Sequence, residues 1–423
     1  MAQSFNLLSR RGFLQATTLA TGVALNPRIG STATDVNGSA AYVPMRAITQ
    51  GPMAHWFGYY DKFQFDPTNR FVLGMEVGFE DRAPKSEDTI RIGMVDLEEG
   101  DRWIEIGATS AWCWQQGCML QWLPGSDSQV IFNTRLKDKY GSVIVDVKTG
   151  ARRVLESPIY TVSADGKTAM SLNFARLGVL RPGYGYEGLP DPYQDQRITD
   201  EDGITRVNLE TGKSELVITL AQMLKVKPLD SMATSLNWFN HLLFSPDGKR
   251  FIFLHRWRRD LKSGRDTRML TAKPDGTDLH VVADTQMVSH FIWKNPNQIL
   301  AWSREPDLGD HFYLYTDQQE DYEIIGQGVL KADGHCTYSP DGEWICTDTY
   351  PGKDNFHHHY LVRPSSGKLI ELGKYFQPGV VRGKPNRCDL HPRWNRDGTQ
   401  LCIDSMMSGR RQLYLLNVEN VVN

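Results

Sequence analysis

Past residue 50 the chain repeats one pattern of apolar and polar positions: an aromatic or aliphatic residue, a short turn rich in Pro, Asp and Gly or Asn, then a β-branched or aromatic run. The turn occurs as Phe65-Asp66-Pro67-Thr68-Asn69, Trp122-Leu123-Pro124-Gly125, Val162-Ser163-Ala164-Asp165-Gly166, Phe244-Ser245-Pro246-Asp247-Gly248, Trp293-Lys294-Asn295-Pro296-Asn297, Tyr338-Ser339-Pro340-Asp341-Gly342 and Trp394-Asn395-Arg396-Asp397-Gly398. Each predicts a hairpin, because Pro fixes one φ and Gly or Asn supplies the positive φ that a tight strand connection needs. Runs such as 250–254 and 343–347 predict the strands that follow, and the turns at 147–150 and 209–212 predict further hairpins.

About four short strands recur every ~40 to 50 residues, and a sheet of that size cannot bury both faces by itself. Stacked radially, such sheets make a propeller. The predicted fold is all-β: a single seven-bladed β-propeller of four-stranded blades over residues 42–423. The longest interval between turns contains the segment 181–188, with Arg181, Tyr184 and Tyr186, and a polar run to Asp202. It reads as a loop inserted over one face.

Composition narrows the class. With 40% hydrophobic and 23% charged residues in 423, the chain is neither disordered nor collagenous, coiled-coil or a multi-span membrane protein. A net charge of −3 with dispersed Lys and Arg argues against nucleic acid as partner, and a monomer is expected. Residues Ser9-Arg10-Arg11-Gly12-Phe13-Leu14, the uncharged stretch 15–25 and a Pro/Gly/Ser/Thr-rich tail to Ala41 predict a twin-arginine export signal and linker over 1–41. The apolar part is too short for a bilayer span of ~20 residues, so the expected location is periplasmic or secreted. Six cysteines form no C-x-x-C pair and read as small core residues.

Candidate chemistry lies at one repeated offset. Four consecutive units carry histidine four residues before the turn: His241, His290, His335 and His391. Equivalent offsets in stacked blades are equivalent radii and heights, so these imidazoles should converge on a metal or proton-transfer site; for any one alone, a structural hydrogen bond to a neighbouring blade is the plainer use. Asp389 precedes His391 by two residues and shares its side on an extended strand, which suits a common cation, although capping a turn is an equally common use. His255, Arg256 and Trp257, followed by Arg258 and Arg259, combine cation and aromatic in a way that suits a carboxylate-bearing sugar, or else a solvated charge run. The aromatics of the runs opening at His55 and Trp112 line a glycan cleft or pack between blades. The run 357–359 of three histidines reads as a surface loop in the sixth unit. No G-x-S-x-G, H-E-x-x-H or G-x-G-x-x-G occurs, so peptidase and nucleotide-cofactor readings lose their usual support.

The segments Asn240 to Asp247, His255 to Trp257, Val288 to Trp293 and Asp389 to Tyr414 resemble the central and final blades of the oligogalacturonate lyases, which are seven-bladed propellers. Ulvan lyases and rhamnose–glucuronate lyases are similar. The resemblance covers roughly residues 235–418. It implies β-elimination on a uronate-containing glycan, with His241 as base and His290 and His391 binding a divalent metal. Asn386 and Asp389 stand where those lyases carry a ligand Gln and His, a departure from their ligand set. The set implied here is His290, His335, Asp389 and His391, holding Mn, Zn or Ca. The ulvan-lyase type further implies a catalytic pair of Tyr184 with Arg197 or Arg181. Arg256 joins the catalytic candidates, and His55, Arg181, His255 and Trp257 are the substrate-binding ones. Two other functions remain open at this stage: a non-catalytic periplasmic binding propeller of the TolB type, and a glycoside hydrolase drawing two carboxylates from Asp61, Glu187 and Asp389.

Overall fold

The computed structural model describes residues 37–379 and 383–423; the twin-arginine segment lies outside them. Seven antiparallel sheets follow one another in chain order as propeller blades. Their innermost strands are Ala54–Trp56, Gln121–Trp122, Thr161–Val162, Leu236–Phe244, Val288–Asn295, Thr337–Tyr338 and Arg393–Trp394. The circle closes through the start of the chain. Met45–Ala47 pairs with Gln412–Asn417 as the outermost strand of the seventh blade, and Ala40–Ala41 adds a fifth strand to the sixth. The folded unit therefore takes in residues 40 and 41, just before the boundary expected at 42. Among the described residues no helix is long and apolar enough to cross a membrane.

The seven turns connect the first and second strands of each blade, and most share one device. The side chain that opens the turn accepts a hydrogen bond from the backbone N–H five residues on: Asp66 from Phe71 at 2.7 Å, Ser163 from Thr168 and Ser245 from Arg250 at 3.1 Å, Ser339 from Trp344 at 3.0 Å, Asn395 from Gln400 at 2.9 Å. In six of the seven turns positive φ falls where the sequence put Asn or Gly, from 64° at Asn69 to 78° at Gly125. The fifth turn departs from the pattern. Asn295 pairs directly with Gln298, and only Pro296 and Asn297 intervene.

Apolar side chains interlock between neighbouring blades. Trp56, Trp112 and Trp114 stand 5.0 to 5.5 Å apart, centroid to centroid, and are fully buried, each burial worth roughly 1.5–3 kcal/mol or more. Of the two uses open to these aromatics, the structure gives them packing. All six cysteines are free and buried. The three histidines at 357–359 are not in a loop: they lie within the third strand of blade six, Phe356–Arg363, with His357 and His359 buried. Three adjacent polar residues suggested a surface turn, but alternation along the strand sends two of them inward, where Gln377 and Cys346 meet their rings.

The insertion falls between the second and third strands of blade three, Thr168–Ser171 and Gly203–Asn208. It opens with a helix the sequence reading did not anticipate, Phe174–Leu180, capped by Asn173 accepting from Arg176 N–H at 3.0 Å. Arg176 then fastens the whole excursion. Its guanidinium donates to Asp191 at 3.0 Å, to the carbonyls of Tyr193 and Gln196, and to the carbonyl of Asn237 in blade four. The returning chain crosses the helix so closely that a Cβ on Gly185 would lie 2.0 Å from the Gly178 nitrogen. That crossing sends Tyr184 and Tyr186 to either side of it, Tyr186 stacking on Phe174 at 4.3 Å. Replacing Arg176 by Met leaves Asp191 and Asp202 buried without their cation, and chemical denaturation should show a loss of about 3–5 kcal/mol.

Candidate active site

The inner strand Val288–Asn295 and the segments leading into Thr337–Tyr338 and Arg393–Trp394 bring three of the four histidines into one contiguous stack: ring centroids are 4.2 Å apart for His290 and His335, and 4.3 Å for His335 and His391. The fourth, His241, stands across the ring of Tyr59, which stacks on it at 5.0 Å and lies 5.2 Å from His391. Backbone geometry aims two of them. His241 and His391 have φ of 52° and 44°, and the pairing of Leu236–Phe244 with its neighbour slips between Asn240 and Leu243. Such a bulge turns a side chain out of the regular alternation, at a strain cost of order 1–3 kcal/mol for a non-Gly residue.

Three potential metal ligands converge. One ligand atom each from His335, Asp389 and His391 lie within 4.8 Å of one another. Nε2 of both histidines and Oδ2 of Asp389 are buried and accept no hydrogen bond, although Arg387 Nε, which donates to Oδ1 at 3.1 Å, passes 2.9 Å from Oδ2. The tautomer of His335 is fixed from behind: Nδ1 donates to Asp348, whose oxygens lie at 2.9 and 3.0 Å, so Nε2 presents its lone pair forward. Burial pushes the Asp348 carboxyl up, but His335 and the donors around it bring it down to about 2, so it stays ionised. His391 is driven well below the ordinary histidine range chiefly by burial, with the guanidiniums of Arg393 and Arg387 adding to it. A neutral imidazole, a second with its lone pair exposed and a carboxylate oxygen fit a divalent cation of borderline hardness. His290, expected in this set, is held aside with Nδ1 on Asp333 at 2.9 Å and Nε2 3.4 Å from the Tyr350 hydroxyl.

His241 is held by both edges. Nδ1 lies 3.2 Å from Gln116 Nε2 and 3.3 Å from the Tyr160 hydroxyl, and Nε2 lies 3.3 Å from the hydroxyl of Tyr59. Burial and the charges of Arg256, His290 and Arg181 keep it well below the usual range, hence neutral at pH 7. The insertion brings Tyr184 edge-on to it at 5.6 Å, with Arg387 donating to the Tyr184 hydroxyl at 3.0 Å and the Arg181 guanidinium 4.6 Å from its ring. Burial alone would push this phenol up; the guanidiniums of Arg387 and Arg181 instead bring it down to about 8.

Four predicted site residues lie elsewhere. His55 bridges Glu76 and Gln412, each at 3.0 Å, tying the first blade to the seventh. His255 sits between Asn237 Oδ1 at 2.9 Å and Arg268 Nε at 3.1 Å, and Trp257 donates to Ser231 at 3.1 Å. Strand alternation explains both, since residues 255 and 257 face away from Arg256. Arg197 is exposed and spends its guanidinium on the carbonyls of Thr234 and Arg259 at 3.0 Å, so it fastens the insertion.

Other groups at the site escaped the sequence reading: Tyr59, Tyr160, Tyr350, Arg387 and Lys62. Lys62 had a legible signature, because it stands four residues before Asp66, as His241 stands four before Ser245. It is buried against Asp61 at 2.8 Å and lies 5.2 Å from the Tyr160 ring. Extended to all seven units, the offset reads Lys62, Met119, Ile159, His241, His290, His335, His391.

Neither a protein-family model nor a curated protein sequence matches the chain. Solved structures do. An oligogalacturonate lyase from Vibrio parahaemolyticus superposes with a TM-score of 0.63 at 13% identity, over 89% of this chain and 94% of that one. An oligogalacturonate lyase in complex with manganese gives 0.64 at 16% identity, over 89% and 93%. TolB from Acinetobacter baumannii gives 0.40 at 12% identity, over 82% and 80%. The likeness is one of fold.

The role of Asp348 can be separated from that of the ligands it supports. Asp348→Asn should weaken Mn2+ binding about 10- to 100-fold by calorimetry, with the circular dichroism spectrum unchanged.

Proposed function

We propose that this protein is a carbon–oxygen lyase that cleaves a uronate-containing oligosaccharide by β-elimination. The observation that carries the reading is that His241 and Tyr184 meet edge to face at 5.6 Å beside His335, Asp389 and His391, whose ligand atoms lie within 4.8 Å of one another. The fold shared with oligogalacturonate lyases, one of them a manganese complex, supports it.

The proton on C5 of a uronate is weakly acidic while its carboxylate is charged, so elimination needs a base, cationic charge at the carboxylate and an acid for the departing oxygen. His241 is the base: its Nδ1–H donates to the Tyr160 hydroxyl, which leaves Nε2 unprotonated to take the C5 proton as the C4–O bond breaks and the C4–C5 double bond forms. Burial keeps that imidazole unprotonated at rest. Tyr184 is the acid, giving its hydroxyl proton to the leaving O4 oxygen while Arg387 stabilises the resulting phenolate. His335, Asp389 and His391 would hold a divalent cation of the Mn, Zn or Ca type. When bound, it supplies the positive charge that neutralises the uronate carboxylate and stabilises the enolate-like intermediate. Lys62 and Arg256 add fixed positive charge on the His241 side. The twin-arginine sequence supports a periplasmic or secreted setting for this activity, on an acidic oligosaccharide or polysaccharide.

The test is a panel of galacturonate-, glucuronate- and iduronate-containing oligosaccharides, followed by the ultraviolet absorbance of the conjugated unsaturated product, with and without chelator. His241→Ala should lower kcat roughly 10²- to 10⁴-fold without a matching rise in KM. Saturable binding with no new absorbance from any substrate would make this a binding propeller instead. Because the acid must hold its proton, activity should be present below pH about 8 and fall as pH rises through it. Tyr184→Phe should lower kcat and remove that limb from what remains.

A further inference from the structure

Blade four and the insertion bring four arginines to one side of Tyr184. Side chains two apart on a strand share a face, so Arg256 and Arg258, on the strand Phe251–Arg258, point the same way. Arg258 donates to the Leu180 carbonyl at 3.2 Å, which sets that face against the end of the helix and against Arg181. The pairing of Trp257 with Asp266 carries Arg265, one residue earlier, alongside Arg258. Arg181 lies over Tyr184 at 4.6 Å.

None of the four has a carboxylate. Among the described residues, the buried arginines Arg176, Arg250 and Arg393 face Asp191, Asp317 and Asp404 at 2.7 to 3.0 Å, while Arg268 and Arg411 have no carboxylate but donate to backbone carbonyls at 2.6 to 3.0 Å. Arg181, Arg256, Arg258 and Arg265 make no ion pair with any described residue. Arg256 is only 2% exposed, yet its guanidinium has no hydrogen-bond partner and its Nε is orphaned; the Nε of Arg181 is orphaned too. Burial, with the charges of Arg265 and Arg181, pulls Arg256 down to about 9. A chain with net charge −3 has gathered like charges and left them uncompensated. Burying a cation without a counter-ion costs free energy, and planar guanidinium forks match the oxygens of carboxylate and sulfate.

We propose that Arg181, Arg256, Arg258 and Arg265 form a second anion site beside the reaction centre, which takes a carboxylate or sulfate ester on the sugar next to the one being cleaved. The proposal rests on the elimination reading for its substrate, and on the arginines alone for its charge. It makes the protein selective for glycans with an anionic group on each of two neighbouring sugars.

Three probes of equal length test it on the full chain: a uronate oligosaccharide with a free neighbouring carboxylate, the same compound with that carboxyl methyl-esterified, and one with a sulfate ester on a neutral neighbour. In the wild type, at least one anionic probe should have a KM about ten-fold or more below that of the ester, with kcat little changed. Whichever anionic probe shows the preference names the source. Arg265→Gln, at a solvent-open position where folding is not at risk, should shrink the preference several-fold, and Arg181→Gln should do likewise. Equal KM for all three probes in the wild type overturns the proposal, as does a preference that survives both variants. Calorimetric binding of the same probes separates the two claims: anion-selective binding without unsaturated product sinks the elimination and keeps the anion site, whereas product without selectivity does the reverse.

Discussion

One hydrogen bond, which in five of the seven blades runs from the backbone N–H that starts the second strand to the side chain that opens the turn before it, sets the geometry of the centre. It fixes how the first strand of a blade ends, and so how far back along that strand any given residue lies from the end. Because the blades are copies in radial register, a residue four places before the turn is brought to the middle whatever its identity. The site is thus a consequence of repetition. His335 and His391 come from different sheets and far-apart stretches of chain, yet their rings stand 4.3 Å apart because each counts the same distance from an equivalent turn.

Charge is divided unevenly around that centre, and the division gives each histidine its character. Asp333 faces His290, Asp348 faces His335, and both rings are oriented by the carboxylates behind them. His391 and His241 have no such partner; burial and neighbouring cations leave them neutral, with lone pairs to offer. The same four imidazoles at the same offset therefore stand in different electrostatic environments, since second neighbours, rather than the ring itself, decide protonation.

That distinction marks how much could be read beforehand. The seven turns, the four-stranded unit and the converging histidines follow from local pattern, which a sequence carries in the open. The partners come from blades and loops whose approach depends on the whole circle. Arg387 was visible beside Asp389, but its reach to Tyr184 depends on where the insertion lands. His255 and Trp257 looked like binding residues because they adjoin Arg256 in sequence, and strand alternation carries them to the opposite face. Lys62 was legible and overlooked, because the repeat was followed through histidine when the conserved quantity was position.

The insertion is where regularity gives way to specificity. A bare propeller presents seven equivalent positions and little to tell one side of the axis from another. The helix Phe174–Leu180, fastened by Arg176 and crossed at Gly185, adds Tyr184 on the His241 side alone. A phenol lowered to about 8 there requires cations close by, and Arg181 and Arg387 supply them from the insertion and the last blade. The insertion thus adds to the inequivalence that Asp333 and Asp348 already impose on the histidines. A propeller without it would retain the imidazole cluster and lose the side of the pocket on which a leaving group could be protonated.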